Sequence, residues 1–280
     1  MLQQAATLLA AQDANPFRIA AYRKAAESIA ALTGGLRELF EREGRAGLDA
    51  LPAIGPGIAA VIAEILVTGH WRQLDRLRGD INPRRLFVCV PGIGPELSTR
   101  IHDELGIDTL EALEAAAHAG TLERVHGVGT RRASGIRAAV AQVLDRTRGP
   151  SRGRMRAASA GELPVETLLD VDREYRAKAE ANQLPKIAPR RLNPSGEAWL
   201  PILHTRRGPW QFTALYSNTA QAHALKREHD WVVLYFHHDD DHSEHQHTVV
   251  TETRGPLEGL RVVRGSEAQC RAYYMPDAAA

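Results

Sequence analysis

LPAIGPGIA (residues 51–59), VPGIGPELS (residues 90–98) and VHGVGTRRA (residues 125–133) are three copies of one short pattern. Each reads apolar, any residue, small, apolar, glycine, and each opens a new run of helical periodicity. The apolar positions pin a tight hairpin between two helices, and the glycines take backbone angles closed to other residues. Amides at the start of the second helix then point outward, where they can meet a phosphate oxygen. Contacts of this kind position a protein on a duplex without reporting which base is present. A single copy would more often be a plain turn in a bundle, but recurrence in the same frame favours phosphate binding. The candidate DNA-contacting residues are Gly55 and Gly57, then Gly92, Gly94 and Pro95, then Gly127 and Gly129. Thr130, Arg131 and Arg132 follow the third hairpin, either as direct phosphate contacts or as a solvated first turn. Ala53 replaces the first glycine in the first copy.

Outward from these hairpins, residues 1–146 read as short amphipathic helices broken at Gly34-Gly35, Gly44 to Gly47, Gly79 and Gly106. A Gly/Ser/Arg stretch without periodicity follows, and beyond the prolines at 185, 189 and 194 the pattern turns to β. Strands are expected at 199–204, 211–216, 231–236, 248–252 and 260–263, and helices at 165–181 and 219–228. The expected fold is multi-domain: an all-α helix-hairpin-helix half, then an α+β domain with a mainly antiparallel sheet. Residues 1–80 hold the first hairpin, 81–147 the tandem pair, 148–163 a basic linker and 164–275 the α+β domain. A chain of 280 residues allows each half a core of its own.

Composition narrows the function class. With 44% apolar and 25% charged residues, the chain is globular, and no apolar run approaches the roughly 18 residues of a membrane span. The start MLQQAATLLAAQDANPF lacks a basic region before its apolar residues and reads as a helix, so a cytoplasmic, nucleoid-associated protein is expected. Cys89 and Cys270 form no CxxC motif. The net charge of +1 gives no global nucleic-acid signature, so local geometry must carry any DNA binding.

NPFRIAAYRKAAESIAAL (residues 15–32), LPAIGPGIAAVIAEILVTG (51–69) and the run beginning VPGIGPELSTRIHDELG resemble the N-terminal half of bacterial family X DNA polymerases, kin of polymerase beta. The resemblance implies a first hairpin that grips the 5′ side of a gapped or nicked strand, and a following pair that contacts the duplex. It further implies a 5′-phosphate pocket built from Arg18, Tyr22, Arg23 and Lys24, and a monovalent cation on hairpin carbonyls; no other cofactor is expected. The family's lyase nucleophile is a lysine, and its matching position here is Val61. Arginine cannot form the Schiff base that reaction needs. Lys24, the only lysine of this half, is either a substitute nucleophile or a solvated helix-face residue. The polymerase palm is missing, since Asp170 and Asp172 lie on a helix-like segment and Asp239 lies in a histidine-rich run.

That run supplies weak metal candidates in His237, His238, Asp239, His245 and His247, without fixed ligand spacing, and reads better as a polar hairpin loop. His204 to Arg207 with Trp210 read either as an oxyanion or phosphate grip or, better, as a polar turn, and Ser217-Asn218-Thr219 as a helix cap. Glu252, Arg254, Arg261 and Arg264 come together either as a nucleic-acid contact or as a surface ion-pair lattice. His223 and Glu252 have no visible reason to meet. The expected function is sequence-independent DNA binding in repair or maintenance, with DNA as partner and another repair protein possible through the second half. A DNA-processing enzyme and a protein-interaction scaffold are the alternatives.

Overall fold

The computed structural model describes residues 1–80, 82–148, 163–239 and 244–276. The first part is helical throughout: α1 Leu2–Ala11, α2 Pro16–Ala30, α3 Leu36–Asp49, α4 Pro56–Thr68, α5 Arg72–Leu77, α6 Pro83–Leu86, α7 Pro95–Leu105, α8 Leu110–His118 and α9 Thr130–Arg148. The caps are written locally. Asn15 accepts from the Phe17 amide ahead of Pro16, and Thr109 accepts from the Ala112 amide, each satisfying a first-turn donor.

The second part opens with α10 Val165–Glu180 and continues as a six-stranded antiparallel meander in chain order. Its strands are β1 Lys186–Ile187, β2 Leu200–Arg207, β3 Trp210–Tyr216, β4 Val232–His238, β5 His245–Thr251 and β6 Arg261–Val263. α11 Ala220–Ala224 joins β3 to β4, and α12 Glu267–Tyr274 follows the sheet. α11 is shorter than the sequence leads one to expect. Lys226 adopts φ 53°, and the Arg227 amide donates to the Ala222 carbonyl at 2.7 Å, ending the helix before Glu228. β1 and α12, a two-residue strand and a short helix, have no clear signal in the sequence.

Register gives the sheet two unlike faces. One carries Thr205, Phe212 and Phe236 in a row, with Leu203, Ala214 and Leu234 beside it. This face lies under α10, whose Tyr175 hydroxyl donates to the Pro201 carbonyl at 3.0 Å and accepts from the Tyr216 amide at 2.8 Å. The other face has a polar row, His204, Thr213, Tyr235 and Gln246, which alternation alone would place in water. It is covered by the helical part instead. His204 meets Gln12 at 3.1 Å, Tyr235 donates to Asp108 at 2.6 Å, and Gln246 donates to the Gly106 carbonyl at 2.9 Å.

The two halves therefore do not close separate cores. One buried cluster runs from Leu2 through Leu77 into Leu163 to Cys270, while Phe87 to Leu144 form a second around the tandem hairpins. A sheet with apolar residues on both faces needs a layer on each. Gly79 marks the closeness of the seam: at φ 68°, a Cβ there would lie 2.7 Å from the Ala188 carbonyl oxygen. Bidentate ion pairs complete the seam. Arg76 grips Glu244 at 2.8 and 2.9 Å, and Arg191 grips Asp103 at 2.6 and 2.7 Å.

Candidate nucleic-acid interface

The three hairpins share one backbone. In each, the apolar residue before the glycine donates its amide to the apolar residue three back: Ile54 to Leu51 at 3.1 Å, Ile93 to Val90 at 3.1 Å, Val128 to Val125 at 3.0 Å. All six side chains at these positions, except half-buried Leu51, are buried, which anchors the turn. The residue between takes positive φ: Ala53 at 59°, Gly92 at 91°, Gly127 at 83°. Alanine there is strained by about 1–2 kcal/mol relative to the right-handed region, so the first hairpin holds its shape against its own residue. Gly55 and Gly94 then cap α4 and α7 in extended conformation with Pro56 and Pro95 at the first helical position. These glycines and Gly129 are exposed, with nothing within 4 Å of where a Cβ would stand. The open space beside the first-turn amides is where an anion can sit against the positive helix end.

The second and third hairpins form one unit. Arg132 donates to the Gly127 carbonyl and to the Gly92 carbonyl, both at 3.2 Å, and Arg100 donates to the His126 carbonyl at 2.7 Å. Arg132, expected as a direct phosphate contact or a solvated residue, bridges the two turns while staying exposed, as Arg131 does. Thr130 donates to Glu123 at 3.4 Å. Arg100 had no signal in the sequence, because its partner lies 26 residues away.

The first hairpin faces a cleft of about 490 Å³. Arg18, Tyr22, Gly55, Gly57 and Val61 line it, so two of the four expected pocket residues meet the hairpin and the valine. Arg23 and Lys24 do not line it and lie exposed on α2, because helical spacing turns them away from Arg18 and Tyr22. Tyr22 stacks edge-on with Trp71, 5.4 Å between centroids, and Arg18 stands 5.7 Å from the Tyr22 ring. Phe17 is 84% exposed on the rim. The far wall comes from the sheet. Arg206, Gln211 and His237 form a second polar row beyond the seam, and Asp239 takes hydrogen bonds from Arg206 at 2.7 Å and Gln211 at 3.1 Å.

Electrostatics tie this wall together. Burial opposes ionisation of Glu244, yet the Arg76 charge and its two hydrogen bonds outweigh burial and hold the carboxyl at about 2. Burial, followed by the charges of Arg18 and Arg76, lowers His204 to about 3. Gln12 donates to the Leu77 carbonyl, so its oxygen faces His204. The neutral imidazole therefore carries its proton on Nε2, and Nδ1 accepts from Thr213 at 3.1 Å.

The other candidates of the second half resolve into structure. His245 and His247 stack on Phe236 at 5.5 and 5.7 Å, and among the described residues no group of three His, Cys, Asp or Glu could hold a metal ion. Residues 240–243 of the histidine-rich run lie outside the described residues. Thr219 caps α11. His223 bonds Asn218 at 2.6 Å, whereas Glu252 pairs with Arg264. No helix among the described residues is long and apolar enough to cross a membrane.

Residues 1–71 match the family described as Helix-hairpin-helix domain, and residues 85–141 match the SAM-like Helix-hairpin-helix tandem. A stretch of 133 residues is 29% identical to the DNA polymerase/3'-5' exonuclease PolX of Bacillus subtilis (strain 168), covering 47% of this chain and 22% of that protein. The N-terminal part is thus a helix-hairpin-helix region related to that of family X polymerases, followed by an antiparallel α+β part.

Proposed function

We propose that this chain is a sequence-independent DNA-binding protein of DNA repair or maintenance that grips the phosphate backbone of duplex, nicked or gapped DNA. The observation that carries this reading is the shared geometry of the three hairpins, each presenting open first-turn amides behind a glycine. The helix-hairpin-helix matches support DNA as the partner, and the likeness to a DNA polymerase/exonuclease supports a repair setting. In this reading the hairpin pair holds the duplex through Gly92, Gly94, Pro95, Gly127, Gly129 and Thr130. The first hairpin, with Arg18 and Tyr22, receives the 5′ end.

Arg132 supplies positive charge to the carbonyls of Gly92 and Gly127, so a monovalent cation is not required at these two oxygens. No lyase step is assigned: Val61 lines the cleft and Lys24 does not. No polymerase step is assigned either, because Asp170 and Asp172 are paired with Arg207 and Arg261. In this reading the second half, packed against both grips, fixes their spacing and supplies the surface that meets another repair protein. A gel-shift titration over duplex and gapped oligonucleotides tests the reading. Binding should weaken steeply with salt, since each neutralised phosphate releases counterions. Absence of a shift at low salt refutes it.

A further inference from the structure

The second half holds a cleft of about 630 Å³ that the hairpins do not use. It opens where the C-terminal end of α7, at Leu105 and Gly106, meets β5 and the turn after α11. A volume of this size is within the roughly 300–1,000 Å³ usual for small-molecule sites. Its charge is one-sided: Arg227, Arg254 and Arg264 line it, and among the described residues no carboxylate does. Arg264 holds Glu252 at 2.7 Å yet stays 44% exposed, and Arg227 stands 3.6 Å from Asp230. Arg254 is exposed and forms no ion pair among the described residues. Arg261, which the sequence groups with Arg254 and Arg264, turns inward to Asp172 at 2.6 and 3.0 Å. The structure thus splits the arginine cluster into a buried brace and a set facing open space.

Trp231 lines the same cleft. Trp71, Trp199 and Trp210 each meet another ring edge-on, whereas the Trp231 ring pairs with none among the described residues. Thr248 and Thr253 add hydroxyl donors to the wall. Guanidinium forks match phosphate oxygens, and a partly buried indole lining a cleft, as Trp231 does, can offer a stacking face to a planar base. We propose that this cleft binds a nucleoside phosphate, its phosphate held by Arg254 and Arg264 and its base laid against Trp231. A free nucleotide and the phosphorylated end of a DNA strand share this chemistry. α7 has 11 residues and so is about 16 Å long, which places the cleft a full helix away from the Gly94 amides. It is a second site and does not depend on the hairpin reading.

The test is calorimetric titration of the full chain, with Trp fluorescence in parallel, using dAMP, adenosine, and a tetradeoxyadenylate with and without its 5′ phosphate. Saturable binding of dAMP or of the phosphorylated tetranucleotide is expected, with adenosine silent. The R254Q/R264Q variant should lose about tenfold or more in affinity, and both positions are exposed enough to leave the fold intact. A preference for the phosphorylated tetranucleotide over dAMP identifies a strand end as the ligand; the reverse identifies a free nucleotide. Failure of both phosphorylated probes to saturate, or affinity unchanged in R254Q/R264Q, overturns the site. Neither outcome touches the hairpin glycines, so duplex binding is judged separately.

Discussion

Replacing Gly94 and Gly129 with aspartate should move stability and DNA binding in opposite directions. Gly94 has φ −87°, which any residue adopts, and both positions have open space where a Cβ would stand. Gly94 caps α7. Aspartate is a better cap than glycine and places negative charge at the positive helix end, so the fold should gain about 0.5 kcal/mol per site. The same carboxylate occupies the space a phosphate needs. Loss of one charge-assisted hydrogen bond, with like-charge repulsion added, removes about 2–3 kcal/mol of binding per hairpin, or roughly 30- to 150-fold. Thermal unfolding reads the first effect and gel shift with a salt series the second. The salt slope should fall by about 0.9 for each phosphate lost. A doubly substituted protein that is as stable as the parent and binds duplex with unchanged affinity and slope would refute the assignment of these amides.

Arg76→Met should cost about 3–5 kcal/mol in urea unfolding, because Glu244 is left charged inside the seam, and R76M/E244M should recover most of it; a single-variant loss below about 1 kcal/mol would mean that the pair does not join the halves. His204 is neutral when folded, with its value lowered to about 3, so its contribution is complete above the unfolded value near 6.5 and is lost as pH falls from there toward 3. Glu244, held at about 2, loses its contribution only below about 4.5. H204Q should therefore make the pH dependence of stability between about 6.5 and 4.5 shallower, leaving the share of His102 and His247, which burial also lowers, and the steeper acid limb; an unaltered profile would remove His204 from the account. Borohydride trapping on abasic DNA should give no covalent adduct, since Lys24 stands outside the cleft; an adduct that K24A abolishes would restore a lyase.

Much of the hairpin region is legible in the sequence because its determinants are local. The residue that needs positive φ (Ala53 or Gly92), the buried apolar residue beside it and the proline that starts the helix lie within six positions of one another in LPAIGPGIA and VPGIGPELS. The strands of the second half are legible for the same reason, through alternation and turn residues. The sequence pattern carries the helix over 219–228 past its observed end at Ala224, because only the backbone at Lys226 ends it. Half of the cleft beside the first hairpin is visible from the resemblance to family X polymerases, which names Arg18 and Tyr22, whereas Arg206 and His237 reach it only through β pairing.

By itself, then, the sequence determined three tight hairpin turns of one pattern, the helices they join and an antiparallel set of strands, all of which depend on residues within one or two turns of chain. Only the tertiary structure decided what those parts face. Alternation fixes that His204 and Tyr235 share a side of the sheet, but not that Gln12 and Asp108 cover it. It likewise brings Arg254, Arg261 and Arg264 together without saying which turns in toward Asp172 and which lines the cleft that Trp231 also lines. Such choices are set by partners tens of residues away, whose burial and charge exist only once the layers have packed.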